Sequence, residues 1–353
     1  MKIDLIIPTY MPDKSLIDSI AIMQSQTVKI NKIIIMNTEQ KYFERMTYAT
    51  SFVNSNKNME VKHISKKEFD HGRTRNQGVA RSDADYFLFM TQDAVPVGNR
   101  LVEELVYALE ADDSIAVAYA RQIAKEGSSE REKYTRLFNY PEESSVHSAA
   151  DIATLGIKAY FCSNVCAMYR RKTFDELGGF LNHAIFNEDM LYAAKAINEG
   201  YKVAYVSTAK VLHSHNYTNA EQYSRNFDIG VSHAKHPEIF EGLNTKGEGM
   251  RLVKKTAKHL SDTGNKFEIP KLYIQSAYKY LGYRSGKRFM HLSKKAILRK
   301  TMNPSYWRED ELIRDRGNIN ARLGYGRSEE ELAMITKVPI TTSSSSYKET
   351  KEQ

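Results

Sequence analysis

The sequence predicts an α/β fold with a mainly parallel sheet, followed by a helical C-terminal region. Apolar runs of strand length alternate with amphipathic helical segments through the N-terminal part of the chain. From about residue 219 the pattern becomes helical and rich in tyrosine. The length of 353 residues suggests two domains, and 41% hydrophobic with 27% charged residues is typical of globular proteins.

The predicted strands are six apolar runs, several of which are followed directly by polar side chains. They cover residues 3–8, 32–36, 60–64, 86–90, 115–120 and 201–206. Apolar residues three or four positions apart predict helices over 15–25, 43–53, 74–80, 99–110 and 190–198. The polar stretch 125–155 is weakly periodic, and we expect a long loop with short helices there.

The C-terminal region concentrates the positive charge of the chain. Residues 246–300 contain 15 Lys and Arg against 3 Asp and Glu, a balance of +12, so the remainder of this +8 chain is slightly acidic. Helices are predicted over 270–282 and 285–300, and the second is basic and amphipathic. Three interpretations remain open: a cover for the α/β domain, a peripheral contact with an anionic membrane, or a homo-oligomer interface.

Composition also excludes some classes of protein. The basic pI of 9.1 is the only feature that favours nucleic acid, and because the charge is confined to one region we expect no nucleic-acid partner. Cys162 and Cys166 form no disulfide framework, which predicts a reducing cytoplasm. No apolar run approaches membrane-spanning length, and the run at the N-terminus contains Asp4 and Pro8, so we expect neither a spanning helix nor a signal peptide.

Three polar clusters follow predicted strands, at residues 37–39, 70–76 and 92–93. Ligands of parallel sheets bind at the carboxyl ends of the strands, so these clusters are expected to border one crevice. The chain has neither a dinucleotide-binding GxGxxG after its first strand, nor a P-loop, nor a GxSxG elbow. Acids and histidines at strand ends therefore remain as candidates for chemistry.

Residue type and position suggest roles for these candidates. Asp93 directly follows an apolar strand, where a carboxylate can hold a divalent cation or cap a turn. Glu188 and Asp189 precede a helix, and the choice there is between a general base and a helix cap. His213 and His215 share one face of an extended segment, and imidazole is a common metal ligand, although a lone histidine is more often structural.

Six motifs follow one another over residues 1–220. They are Ile7-Pro8-Thr9-Tyr10, Phe69-Asp70-His71-Gly72-Arg73-Thr74-Arg75-Asn76-Gln77-Gly78, Thr91-Gln92-Asp93-Ala94, Gly178-Gly179-Phe180, Asn187-Glu188-Asp189 and Val211-Leu212-His213. In this order and spacing they resemble family 2 glycosyltransferases of the GT-A fold, and within these the bacterial polysaccharide rhamnosyltransferases. The resemblance implies a GT-A catalytic domain at 1–220, a basic helical region at 221–305 and an extension with a disordered Ser-rich tail at 306–353.

The resemblance also implies a donor site. The segment Pro8, Thr9 and Tyr10, with Glu39, would border the nucleoside base, although Asn37-Thr38-Glu39 stands where the family usually has an aspartate. The remaining donor contacts would come from the next two clusters, with diphosphate contacts from Arg75 and Asn76 and a ribose hydrogen bond from Gln92.

The metal and the base are implied in the same way. Asp93 would bind Mg²⁺ or Mn²⁺, with His213 completing the site and His215 less favoured. Asp189 would be the catalytic base, and Glu188 would orient Asp189 or the acceptor.

The implied activity is inverting, metal-dependent transfer of L-rhamnose from dTDP-rhamnose to a growing cell-surface polysaccharide. The acceptor would be an oligosaccharide that polyprenyl diphosphate can carry, and the protein would work in the cytoplasm or at the inner face of the cell membrane. The alternatives are a UDP-hexose or UDP-N-acetylhexosamine transferase of the same fold, and a non-catalytic GT-A-like subunit of an assembly complex.

Overall fold

The computed structural model describes residues 1–46, 49–215, 217–242 and 245–308. Within these ranges, the strands are β1 (Ile3–Tyr10), β2 (Lys32–Thr38), β3 (Met59–Ile64), β4 (Tyr86–Met90), β5 (Val95–Pro96), β6 (Ile115–Ile123), β7 (Ser145–His147), β8 (Cys166–Arg170) and β9 (Lys202–Leu212). The helices are α1 (Lys14–Gln24), α2 (Gln40–Glu44), α3 (Ala49–Ser55), α4 (His71–Val79), α5 (Leu101–Glu110), α6 (Glu130–Asn139), α7 (Ile152–Leu155), α8 (Arg171–Glu176), α9 (Glu188–Asn198), α10 (Asn219–Lys235), α11 (Pro237–Phe240), α12 (Thr245–Asp262), α13 (Ile269–Lys287) and α14 (Lys294–Lys300).

The strands form one mixed sheet in the order β3-β2-β1-β4-β8-β6-β9-β5, with β7 paired to β9. The first four of these strands pair in parallel, as do β6 and β9. β8 runs antiparallel between β4 and β6 and joins the two parallel blocks. The predicted α/β fold with a mainly parallel sheet is confirmed, and β8 is the strand that makes the sheet mixed.

Helices cover both faces of the sheet, which is why the central strands are apolar without alternation. On one face, Leu5 and Ile7 of β1 pack with Leu16 of α1 and Leu105 of α5. On the other face, Ile6 belongs to a cluster rich in aromatic residues, which includes Phe87, Tyr169, Phe174, Phe180 and Tyr192. Every residue of β4 is buried, and the polar residues that follow it therefore emerge at the edge of the core.

A third apolar cluster joins the C-terminal helices to the α/β part of the chain. Phe227 and Val231 of α10 meet Ile185, which lies in the segment just before α9. Phe289, Ile297 and Tyr306 complete the cluster from the C-terminal side, so the helical region packs directly behind the segment that leads into α9.

The segment 285–300 is not one helix, and that prediction is wrong. The helix α13 ends at Lys287, Leu292 is extended, and Ser293 caps a separate helix α14 by accepting a hydrogen bond from the Ala296 amide. The break lets Phe289 and Ile297 both turn into the third apolar cluster. Similarly, 43–53 contains parts of α2 and α3 rather than one helix, with residues 47 and 48 outside the described ranges. The predicted Ser-rich tail also lies outside the described residues.

Glycines allow α10 and α13 to pack backbone against backbone. A Cβ at Gly286 would overlap the carbonyl oxygen of Phe227, and one at Gly282 would overlap that of Tyr223. Among the described residues, no helix is long and apolar enough to cross a bilayer.

We expect Gly286→Ala to destabilise the protein by about 1–3 kcal/mol, because the added methyl group forces the two helix backbones apart. Gly249→Ala in α12 is the matched control, since open space surrounds that position. The control should stabilise its helix by about 0.5–1 kcal/mol because alanine loses less backbone entropy. Chemical denaturation measures both values, and equal stability of the two variants would contradict this packing.

Candidate active site

Strand pairing brings Asp93 next to two histidines that lie far away in sequence. Asp93 follows β4 and precedes the short strand β5, whose Val95 pairs with Leu212 at the end of β9. His213 follows directly, and its amide donates a hydrogen bond to the carbonyl oxygen of Ile123. The distance from His213 Nε2 to Asp93 Oδ2 is 3.3 Å, and from His215 Nδ1 to the same oxygen 3.6 Å.

These three side chains fit a divalent cation. One ligand atom from each lies within 4.8 Å of the others. Burial lowers the pKa of His213, and burial together with the neighbouring His213 lowers the pKa of His215 to about 4, so both imidazoles are neutral at pH 7. Burial alone would raise the pKa of Asp93, but the neighbouring His213 holds it well below its usual range. Neutral imidazoles and an ionised carboxylate are the protonation states that metal binding requires.

Gln122 fixes the orientation of His213. Its buried side chain lies on β6, and its Oε1 is 2.9 Å from His213 Nδ1. The Arg136 guanidinium, which can only donate, points at the same Gln122 atom and identifies it as the oxygen. The hydrogen on His213 therefore sits on Nδ1, and the Nε2 lone pair faces Asp93. Hydrogen bonds of this kind hold metal-binding histidines in place.

We expect Gln122→Leu to weaken Mn²⁺ binding by about 10–100-fold, because His213 loses the acceptor that sets its tautomer. Gln122→Glu keeps an oxygen at this place and should retain the affinity. Calorimetric titration of Mn²⁺ measures both, and nitrogen NMR of His213 reports the tautomer directly. Equal losses in the two variants would assign Gln122 a packing role only.

The second group of acids lies at the N-terminus of α9. Asn164 holds both: its backbone amide donates to Asp189 Oδ2 over 2.9 Å, and its side-chain amide donates to Glu188 Oε1 over 3.1 Å. The other oxygen of Asp189 accepts from the Met190 amide. Asp189 is thereby held in one orientation at the positive end of the helix dipole.

The two acids differ in their protonation. Burial alone would raise the pKa of Glu188, but the Arg75 guanidinium 3.1 Å away, with His71, holds it below the usual range. Burial and the negative charge of Glu188 raise the pKa of Asp189 to about 7. The pair therefore contains one carboxylate that stays ionised and one that exchanges a proton near neutral pH, which suits a general base.

Arg75 and Asn76, for which the resemblance implies diphosphate contacts, have side chains that lie inside the protein. Arg75 is buried, pairs with Glu188 and donates to the carbonyl oxygen of His71. The side-chain amide of Asn76 donates to the Phe180 carbonyl and to the Asn182 side chain, and its oxygen accepts from the Phe180 amide. In this structure Arg75 therefore supports the acid pair, and Asn76 fastens the 180–182 loop to α4.

The glycines of the same segment have a packing reason. A Cβ at Gly72 would overlap the Leu181 carbonyl, and one at Gly78 would come within 2.6 Å of the Ile6 side chain. Much of the segment 69–78 thus forms the contact between α4, the sheet and the loop before α9.

The end of β1 is joined to both neighbouring strands. Thr9 donates to Asn37 on β2, and both are buried. The Tyr10 backbone exchanges two hydrogen bonds of 2.9 Å with the side-chain amide of Gln92. Pro8 is partly exposed between them, and Glu39 accepts from the Lys66 amide over 2.6 Å. The first and third polar clusters therefore lie together, at the carboxyl ends of the neighbouring strands β1, β2 and β4.

Sequence comparison identifies the family. The model of glycosyl transferase family 2 matches residues 4–178. The O-antigen chain rhamnosyltransferase RfbN of Salmonella typhimurium is 40% identical over 311 residues, which cover 87% of this chain and 96% of that protein. The chain belongs to glycosyl transferase family 2. A second family 2 relative, the O-antigen chain rhamnosyltransferase WbaN of Salmonella anatum, is 38% identical over 288 residues, or 80% of this chain and 88% of that protein.

Solved structures of low sequence identity also resemble this family 2 chain. S. aureus TarS 1–349 in complex with UDP-GlcNAc has a TM-score of 0.49 at 12% identity and covers 82% of this chain and 91% of its own. The mannosyltransferase PcManGT from Pyrobaculum calidifontis, in complex with GDP-Man and Mn²⁺, has a TM-score of 0.49 at 13% identity. The match covers 91% of this chain and 86% of that protein. Family membership and the mixed, mostly parallel sheet confirm the predicted GT-A fold and the glycosyltransferase class.

Proposed function

We propose that this family 2 glycosyltransferase transfers L-rhamnose from dTDP-rhamnose to a growing polysaccharide chain with inversion at the anomeric carbon. The relatives of about 40% identity, which span most of the chain and are named for rhamnose transfer, support the sugar. The observation that carries the reaction type is the presence of two separate groups of side chains. Asp93 with His213 and His215 is suited to bind a cation, and Asp189 beside Glu188 is suited to accept a proton.

Asp93, His213 and His215 would hold the cation. Two imidazole nitrogens beside one carboxylate favour a transition-metal ion such as Mn²⁺ over Mg²⁺, whose sites are built mainly from oxygen. When bound, such an ion offsets the negative charge that develops on a diphosphate leaving group. Gln122 keeps the His213 lone pair directed at this position throughout.

Asp189 would act on the acceptor. Its carboxylate accepts the proton of the acceptor hydroxyl while that oxygen forms a bond to the anomeric carbon. The bond from this carbon to the diphosphate oxygen breaks on the opposite face, and the nucleoside diphosphate leaves with the bonding electrons. Asn164 and the Arg75-paired Glu188 keep the Asp189 oxygens oriented for this transfer.

The rate should depend on pH through Asp189. Because the pKa of its carboxyl is raised to about 7, the group is mostly protonated at pH 6 and unable to accept the hydroxyl proton. We therefore expect kcat/KM to rise about tenfold per pH unit below neutrality and to level off above it. A rate that stays constant from pH 5.5 to 8 would argue against a base with a raised pKa.

A direct assay tests the proposed reaction. The enzyme is incubated with an oligosaccharide acceptor, Mn²⁺ and either dTDP-rhamnose or UDP-N-acetylglucosamine, and mass spectrometry follows the product. We expect the mass gain of one deoxyhexose residue with the first donor only, and NMR of the product should show the inverted anomer. A product formed only from the UDP-sugar would replace the proposed sugar and keep the reaction type.

A further inference from the structure

The outward face of α13 carries large apolar side chains that nothing in the described structure covers. Positions seven residues apart, such as 273 and 280 or 274 and 281, lie along the same side of a helix. Residues just before and just after the helix extend this surface at its two ends. Its apolar members are each between 51% and 78% exposed, namely Phe267, Tyr273, Ile274, Tyr280, Leu281 and Met290. We call this set the α13 surface.

The opposite side of the same helix anchors it to the protein. Gly282 and Gly286 pack against the backbone of α10, and Leu272 is buried. The α13 surface therefore belongs to a fixed element of 19 residues, about 28 Å long. Its exposure does not come from a loosely attached end of the chain.

Positive charge borders the α13 surface, and the nearest acid in the sequence, Glu268, is paired with Arg131. Residues 269–300 contain nine Lys and Arg and no Asp or Glu. Arg284, Lys287 and Arg288 are exposed at the C-terminal end of α13, next to Tyr280 and Leu281. A partner must therefore accept tyrosine and aliphatic side chains and also supply negative charge.

We infer that the α13 surface docks on the surface of an anionic lipid bilayer. Tyrosine is enriched at membrane–water interfaces, and helices that lie in the interface combine an apolar face with basic side chains. A second copy of the chain would bring the same positive charge to the contact, so self-association is disfavoured here. Exposed aliphatic side chains such as Ile274 and Leu281 also do not match a nucleic-acid partner.

This surface differs from the membrane contact that the sequence suggested at 285–300. Phe289 and Ile297, two apolar residues of that segment, are buried in the third cluster. The contact lies mainly upstream, on α13, and of its apolar members only Met290 falls within 285–300. The inference does not depend on the identity of the sugar, because none of these residues belongs to the two acid groups.

Vesicle co-sedimentation of the full chain tests the inference. The probes are vesicles of phosphatidylcholine with and without phosphatidylglycerol, each at low and high salt. Two double variants test the two parts of the proposed contact. Tyr273→Ser with Tyr280→Ser removes apolar area, and Arg284→Glu with Arg288→Glu reverses positive charge. Tyr107→Ser is the matched control, because Tyr107 is an exposed tyrosine on α5 of the catalytic half.

We expect wild type and the Tyr107→Ser control to bind the anionic vesicles alike, more weakly at high salt. Each double variant should lose about tenfold or more of the partition coefficient, because one removes interfacial tyrosines and the other reverses charges that anionic lipids attract. Transfer to a soluble acceptor should stay unchanged in both, which separates this result from the proposed reaction.

Three results would overturn the inference. The first is equal vesicle binding by all variants, and the second is no binding to anionic vesicles at all. The third is a concentration-dependent dimer, seen by sedimentation velocity, that is lost only in the variant with Tyr273→Ser and Tyr280→Ser. That result would make the α13 surface a contact between copies of the chain.

Discussion

Replacing Asp189 with asparagine should lower kcat by about 10²–10⁴-fold, because the variant cannot accept the acceptor proton. The substitution is close in size, and an asparagine oxygen can still accept a hydrogen bond from the amide of Asn164 or of Met190, as Asp189 does. The protein should therefore fold, and donor binding should stay within about twofold of wild type because the proton acceptor takes no part in it. Single-turnover kinetics with dTDP-rhamnose measures the chemical step apart from binding.

Glu199→Gln is the matched control for this experiment. It removes a carboxylate from the other end of α9, where Glu199 is exposed. Its kcat should equal that of wild type. If Asp189→Asn turned over at a rate close to the control, Asp189 would not be the base, and its raised pKa would reflect only burial and the charge of Glu188.

Replacing Asp93 with asparagine should weaken donor binding in the presence of Mn²⁺ by about 100-fold or more. Removing a residue that only supports a metal ligand typically lowers metal affinity by about 10–100-fold. Here the substitution removes a ligand itself, and the only anionic one of the candidate group. The two neutral histidines would remain, without a carboxylate beside them. Calorimetry of dTDP binding with and without Mn²⁺ measures the metal-dependent part of the affinity.

Asp18→Asn provides the comparison, because Asp18 is an exposed carboxylate of α1. It should leave metal-dependent binding unchanged. The two central variants then separate the roles: Asp189→Asn should keep donor binding and lose transfer, whereas Asp93→Asn should lose both. Metal-dependent donor binding at wild-type strength in Asp93→Asn would exclude Asp93 from the site.

The parts of the fold that follow from local pattern were predictable. β4 is a continuous apolar run, and the rule that ligands gather at strand ends directed attention to Asp93 and His213. The structure brings these two together through the pairing of β5 with β9, a contact between residues more than 100 positions apart that no periodicity reveals. It also adds His215 at 3.6 Å from Asp93, which the sequence had given second place to His213.

The parts that depend on tertiary burial were not predictable. Arg75 and Asn76 were predicted to contact the diphosphate, and their residue types do not reveal that both side chains are buried. Their partners, Glu188 and the 180–182 loop, lie more than 100 residues away. Gln122 is the last residue but one of β6, follows Arg121 and belongs to no motif, so nothing in the sequence marks it as a partner of His213. Asn164 was visible only as one polar residue in an apolar stretch.

The break in 285–300 has the same cause. The spacing of Phe289, Leu292 and Ala296 fits a helix, and local propensity does not oppose one. Burial of Phe289 and Ile297 in one cluster with Phe227 requires the chain to turn at Leu292, and Ser293 then caps the next helix. Tertiary packing decided between two locally acceptable conformations.

The most direct test of this account is calorimetric titration of the wild-type protein with dTDP, UDP and GDP, each with and without Mn²⁺. We predict that dTDP binds most tightly and only in the presence of the metal, since Asp93, His213 and His215 require the cation to meet a diphosphate. Binding of none of the three nucleotides, or binding that Mn²⁺ leaves unchanged, would contradict the assignment of a metal-dependent donor site to this chain.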